Sequence, residues 1–133
     1  MRILIVEDQP LIALHLEHDL VGDGHEIVGI AATRQQALAL AGDQAPDLAF
    51  VDVQLADGDT GIAIARQIAS PQLKVVFLTG SAELLPEDGA GAIGVLGKPY
   101  AIGALRGTLA LVEHLLGRGP PAPPPPQLRC FQG

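Results

Sequence analysis

The chain has 133 residues, 48% of them hydrophobic and only 3% aromatic, enough for one domain whose core is filled by Leu, Ile, Val and Ala. The net charge is −7, and residues 1–117 hold all 15 acids against six of the 8 bases, or 6 − 15 = −9. That balance argues against nucleic-acid or anionic-membrane partners, which require basic patches.

In chain order, residues 2–6 read as a buried strand ending at Glu7-Asp8, and Pro10 opens a helix reaching about Val21. Gly22-Asp-Gly24 is a turn, Glu26–Ile30 a second strand, and Thr33 the expected N-cap of a helix running to about Ala41. A third strand, 48–51, runs into Asp52. The loop Asp57–Gly61 leads to a helix over 62–69, stopped by Pro71. Lys74–Leu78 is a fourth strand, followed by Thr79. Pro86, Gly89 and Gly91 allow only a short or irregular fourth helix. A further apolar run, 92–96, reaches Lys98-Pro99, and residues 101–116 form an amphipathic helix. Six glycines between 89 and 107 suggest a mobile flank. Strands alternating with helices indicate βαβ units and a parallel sheet.

After Leu116 the composition changes abruptly. Residues 117–126 hold six of the chain's 11 prolines. The expected boundaries are a domain over 1–117 and a proline-rich disordered tail over 118–133, a spacer with no place in the core rather than a ligand for a proline-binding module. The start does not read as a signal peptide, and no run approaches transmembrane length. The single Cys130 provides neither a disulfide framework nor zinc spacing. A reducing, cytoplasmic setting is the expectation.

The chemistry lies at the strand ends. In a parallel sheet all carboxyl ends share one edge, and ligands bind outside it. Glu7, Asp8, Asp52, Thr79 and Lys98 therefore gather in one pocket. Clustered carboxylates invite a hard cation, and Mg²⁺ favours one or two carboxylates plus phosphate oxygens and water. A carboxylate can also attack phosphorus, while the cation, Lys98 and Thr79 meet the phosphoryl oxygens. Taken singly, each group has an ordinary explanation: Asp8 as a helix cap, Asp52 and Thr79 as strand-end residues, Lys98 as a surface lysine. Those explanations do not account for all four positions in this order. His15 and His18 lack further ligands and read as solvated helix residues, while Asp57 and Asp59 read as turn residues.

These motifs resemble the receiver domain of two-component response regulators, of the stand-alone type, across residues 2 to about 116. The stretches that carry the resemblance are Ile-Leu-Ile-Val-Glu-Asp-Gln-Pro, Leu-Ala-Phe-Val-Asp-Val-Gln-Leu, Val-Val-Phe-Leu-Thr-Gly-Ser-Ala and Gly-Lys-Pro-Tyr. The resemblance implies a flavodoxin-like (βα)5 doubly wound sheet of strand order 2-1-3-4-5. It implies Asp52 as phosphoacceptor, and Glu7, Asp8, Asp52 and the Gln54 backbone carbonyl as the Mg²⁺ (or Mn²⁺) set. Thr79 and Lys98 become phosphoryl-binding and switch residues, acting with Asp52 in self-catalysed phosphorylation, and Lys98-Pro99 becomes a candidate cis bond. It implies a sensor histidine kinase or histidine phosphotransfer protein as donor, an unidentified downstream protein or a phosphate-sink role as output, and no enzymatic activity beyond self-catalysed phosphorylation and dephosphorylation. The sequence departs from the family at Val95, where an aromatic switch is usual, and at Ala56, where proline is usual. The 52–61 loop looks one residue longer than the common form. Signalling is therefore expected through the backbone of 79–100. A haloacid-dehalogenase-type enzyme would need a second acid at Gln54, and a histidine phosphotransfer protein would be all-helical.

Overall fold

The computed structural model describes residues 1–131. Its elements are β1 (Arg2–Val6), α1 (Pro10–Gly22), β2 (Glu26–Ala31), α2 (Arg34–Gln44), β3 (Leu48–Val51), α3 (Gly61–Ile68), β4 (Lys74–Thr79), β5 (Gly94–Gly97), α4 (Ile102–Leu115) and β6 (Leu128–Cys130). The sheet order is β2-β1-β3-β4-β5-β6. The first five strands are parallel, in the expected order 2-1-3-4-5, and β6 joins antiparallel to β5.

Helices cover both faces, so the central strands are apolar throughout. Alternate side chains then sort to two cores, as the period of two demands. Leu4, Val6, Ala49, Val51, Val75 and Phe77 pack with Ala37 of α2 and Ile64, Ala65 and Ile68 of α3. Ile3, Ile5, Leu48, Phe50, Val76, Leu78 and Leu96 pack with Ala13, Leu16 and Leu20 of α1 and with Leu105, Leu109 and Val112 of α4.

The expected helix starts are instructive. Thr33 caps α2, its hydroxyl oxygen accepting from the Gln36 N–H at 3.3 Å. Asp8 does not cap α1: the capping position is Gln9, without a side-chain bond, and Pro10 occupies the first turn. Asp8 is thus released from the ordinary structural role its position suggested. The crossover from β4 to β5 has no α-helix. It contains two 3₁₀ turns, Ala82–Leu84 and Gly89–Gly91, with Ala90 at φ 54°. Pro86 lacks the N–H that a continuous helix would need there.

One expectation is corrected. The segment after Leu116 is not wholly a disordered tail without a place in the core. Leu128 pairs with Leu96, Arg129 with Val95 and Cys130 with Gly94, and the Leu128 side chain is buried at 6% exposure among the α4-side core residues. The open edge of β5 supplies unpaired N–H and C=O groups, and a three-residue strand with one inward leucine satisfies them. Gln132 and Gly133 of the expected tail lie outside the described residues.

Candidate functional site

The strand order places the ends of β1, β3, β4 and β5 side by side. Glu7 follows β1, its N–H donating to Ala31 O at 2.8 Å, and Asp52 follows β3, its N–H donating to Val6 O at 3.0 Å. Thr79 closes β4 at 1% exposure. Lys98 follows β5, its N–H bonded to Thr79 O at 2.9 Å, and the Lys98-Pro99 peptide is cis.

Lys98 is the hub of the side-chain network. Its ammonium donates to Glu7 Oε1 at 2.5 Å and to Asp52 Oδ2 at 3.1 Å. The second Glu7 oxygen accepts from the Gln9 N–H at 3.3 Å, and Asp52 Oδ1 accepts from the Gln54 N–H at the same distance. Both Glu7 oxygens are therefore engaged. Burial pushes the Glu7 carboxyl above the ordinary glutamate range, and Lys98 pulls it only part of the way back. Burial alone would lower the Lys98 pKa, but the Glu7 hydrogen bond and the Asp52 and Glu7 charges outweigh it and raise that pKa. The ammonium is thus held charged beside Asp52. Ile12, Leu16, Phe50, Leu78 and Tyr100 line the pocket beneath, whose free volume of about 10 Å³ admits about one water.

The Asp52 and Thr79 loops are linked. Thr79 Oγ1 accepts from the Ser81 N–H at 3.0 Å, and the Ser81 hydroxyl donates to Gln54 Oε1 at 3.2 Å. Since Thr79 Oγ1 accepts there, its own hydrogen remains available to donate. Asp8 sits half-buried beside a cleft of about 270 Å³ lined also by Glu7, Pro10, Leu14, Ile30 and Gln36.

Two functional positions escaped the sequence reading. Gly61 opens α3, and a Cβ there would lie 2.0 Å from the Asp52 carbonyl oxygen and 2.8 Å from Val53 Cα. Only glycine lets α3 start this close to the Asp52 loop, a requirement that one sequence does not reveal. Ser81, which ties Thr79 to Gln54, carried no spacing signal. Val95, at the position where the family usually carries an aromatic, is buried at 3% exposure and pairs with Phe77 on one side and Arg129 on the other.

The donor set suits a hard cation. Glu7, Asp8 and Asp52 oppose one ammonium, leaving roughly two uncompensated negative charges when all three are ionised. Among the described residues, no three His, Cys, Asp or Glu side chains form a ready-made metal cage. Mg²⁺ does not require one, because it takes one or two carboxylates and keeps several waters. Asp8, Asp52 and the Gln54 carbonyl are the residues that would hold it directly, and Glu7, bonded to Lys98, would reach it through one of those waters.

A model of the response regulator receiver domain matches residues 3–110. The chain belongs to the receiver family. Among curated relatives, this receiver is 41% identical over 84 residues to the phyllosphere-induced regulator PhyR of Methylorubrum extorquens, covering 62% of this chain and 32% of that one. It is 41% identical over 108 residues to the transcriptional regulatory protein PdtaR of Mycobacterium tuberculosis, covering 78% and 52% respectively. The chain thus spans about a third to a half of those relatives. Among solved structures, the receiver domain of a modulated diguanylate cyclase from Desulfovibrio desulfuricans superimposes with a TM-score of 0.77 at 29% identity, covering 87% of this chain and 95% of that one.

Proposed function

We propose that this receiver carries phosphorelay signals by accepting a phosphoryl group on Asp52 from a histidine kinase or histidine phosphotransfer protein. One Asp52 oxygen attacks phosphorus, a P–O bond forms, and the P–N bond to the donor imidazole breaks, the electron pair leaving with nitrogen. The arrangement that best supports this reading is Lys98 held charged 3.1 Å from Asp52 Oδ2, ready to meet a transferred phosphoryl oxygen. The Thr79 hydroxyl donates to a second oxygen. Mg²⁺, or Mn²⁺, when held by Asp8, Asp52 and the Gln54 carbonyl, with Glu7 through water, supplies charge neutralisation. Glu7 keeps Lys98 charged and aimed. Hydrolysis follows when water attacks the same phosphorus and restores the carboxylate, so the domain turns over no substrate beyond its own phosphoryl group.

Output in this reading runs through binding of another protein, or through drainage of phosphoryl groups from a shared donor. The acidic balance gives no support to a nucleic-acid partner. A cytoplasmic place follows from the need to meet a kinase, and among the described residues no helix is long and apolar enough to cross a membrane. Phosphotransfer from a phosphohistidine-bearing donor tests the reading. Transfer to the parent chain with Mg²⁺, its loss in Asp52→Asn and its loss on chelation are the expected results. Undiminished labelling of Asp52→Asn would refute the assignment.

A further inference from the structure

The proline-rich run is the one sequence motif that phosphoryl acceptance leaves unused, and its course over the fold is informative. Pro120–Pro126, at about 3.1 Å per residue in an extended polyproline helix, spans about 22 Å. The 14 residues of α4 span about 21 Å at 1.5 Å per residue. The run therefore matches the length needed to return from the C-terminal end of α4 to its start. There a turn closes, with Leu128 N–H donating to Pro125 O at 3.0 Å and Pro126 at the position where proline is favoured. The chain then enters β6.

Three glycines make room for this return. A Cβ at Gly107 would lie 3.1 Å from Pro125 Cβ, one at Gly94 would lie 2.8 Å from Arg129 O, and one at Gly89 would fall inside the Phe131 ring at 2.3 Å. The glycine-rich flank, read from sequence as mobile, contains the seat of the terminal segment.

The segment grips the stretch bearing Lys98 from both sides. Before Lys98, β6 pairs with Gly94, Val95 and Leu96, and Phe131 N–H donates to Ile93 O at 3.0 Å. After Lys98, Gln127 Oε1 accepts from the Ala101 N–H at 3.1 Å. Lys98 is thus the side-chain hub of a stretch fixed at both ends by the terminal segment.

We propose that residues 120–131 form a strap that clamps the 94–101 stretch and so positions Lys98 for phosphoryl acceptance. The proposal rests on the reading of Lys98 given above. Coupling of this kind is reciprocal in binding free energy: whatever loosens the strap weakens the Lys98 contact to a bound phosphoryl group, and the converse holds. Gln127 and Leu128 are positioning residues here, acting through the Lys98 backbone.

The test uses the full chain with Leu128→Ser and Gln127→Ala. Gly107→Ala is added because it raises helix propensity while placing a Cβ 3.1 Å from Pro125 Cβ, so it presses on the strap by a few tenths of an ångström without weakening α4. Backbone hydrogen exchange, the initial rate of Mg²⁺-dependent phosphorylation by a small phosphodonor, and Mg²⁺ affinity are measured. The expected result is faster exchange at 94–101, unchanged protection in 2–6 and 48–51, a rate lowered on the order of tenfold, and unaltered Mg²⁺ affinity. That loss falls short of the roughly hundredfold that a 1 Å misplacement costs at a reacting centre. Gln127→Glu, which keeps an acceptor for Ala101, should restore most of the rate lost in Gln127→Ala. Faster exchange with a parental rate would overturn the clamp and leave an edge cover. Unchanged exchange, or uniform loss of protection, would overturn it as well. A parent chain that accepts no phosphoryl group would instead overturn the underlying reading of Asp52 and Lys98.

Discussion

Replacing Gly61 with alanine should damage the site more than any other single-methyl change. The added Cβ would lie 2.0 Å from the Asp52 carbonyl oxygen and 2.8 Å from Val53 Cα. Both are backbone atoms, so no side chain can swing aside, and the start of α3 must move by more than about 1 Å to reach ordinary contact. Overpacking of this kind costs about 1–3 kcal/mol. The gain in helix propensity, at most about 1 kcal/mol, is reduced at a first helical position. For a domain of this size each kcal/mol shifts Tm by about 3–5 °C, so a loss of about 3–10 °C is expected. The displaced Asp52 loop should also slow phosphorylation, by up to about a hundredfold. Gly42→Ala is the control: it lies in α2 with nothing within 4 Å of its Cβ, and should be neutral or stabilising by up to about 1 kcal/mol. Thermal denaturation by circular dichroism and phosphodonor labelling provide the readouts. Equal Tm and equal labelling rates for the two variants would refute the close-approach argument.

Three further outcomes follow from the same contacts. Lys98→Met leaves the buried Glu7 carboxylate without its cation, and should cost about 2–3 kcal/mol in denaturant titration at pH 7 as well as most of the phosphorylation rate; unchanged stability would show that the contact carries no weight. Asp47 is bonded to the Arg118 guanidinium at 3.0 Å and to the Arg2 N–H at 2.9 Å. Burial alone would raise its pKa, but the Arg118 and Arg2 bonds together with the nearby positive charges outweigh that and hold the carboxyl below the ordinary range. A depressed carboxyl stabilises the fold above its unfolded pKa and loses that contribution as pH falls through its folded pKa, so Asp47→Asn should destabilise at pH 7 and approach the parent as pH drops below the ordinary carboxylate range. A pH-independent difference would contradict this. Mg²⁺ should raise Tm by mass action on the folded state, and Asp8→Ala should abolish that response; an equal response in both chains would remove Asp8 from the site.

The fold and the pocket were legible for different reasons. The five parallel strands are short apolar runs buried on both faces, and each ends at a polar residue, so periodicity located both strand and site residue. The irregular β4–β5 crossover was visible because Pro86, Gly89 and Gly91 are local signals. β6 was not, because Leu-Arg-Cys has one inward side chain and no propensity to distinguish it. It becomes a strand only because the β5 edge is open beside it. Glycines are ambiguous in the same way. Gly89, Gly94 and Gly107 look like flexibility in one dimension and are spaces for the strap in three. Gly61 looks like a turn residue and is the point where α3 meets the Asp52 carbonyl. The pairing of Lys98 with Glu7, rather than with Asp52 alone, depended on side-chain reach across strands, which motif order does not encode.

The most direct measurement is the location of the phosphoryl group after incubation of the intact chain with a small phosphodonor and Mg²⁺. Mass spectrometry of the whole protein, followed by fragmentation, should show a single added phosphoryl group on the segment carrying Asp52, absent from Asp52→Asn and absent without the metal. A phosphoryl group located on any other residue, or a fully folded parent chain that acquires none, would contradict the account.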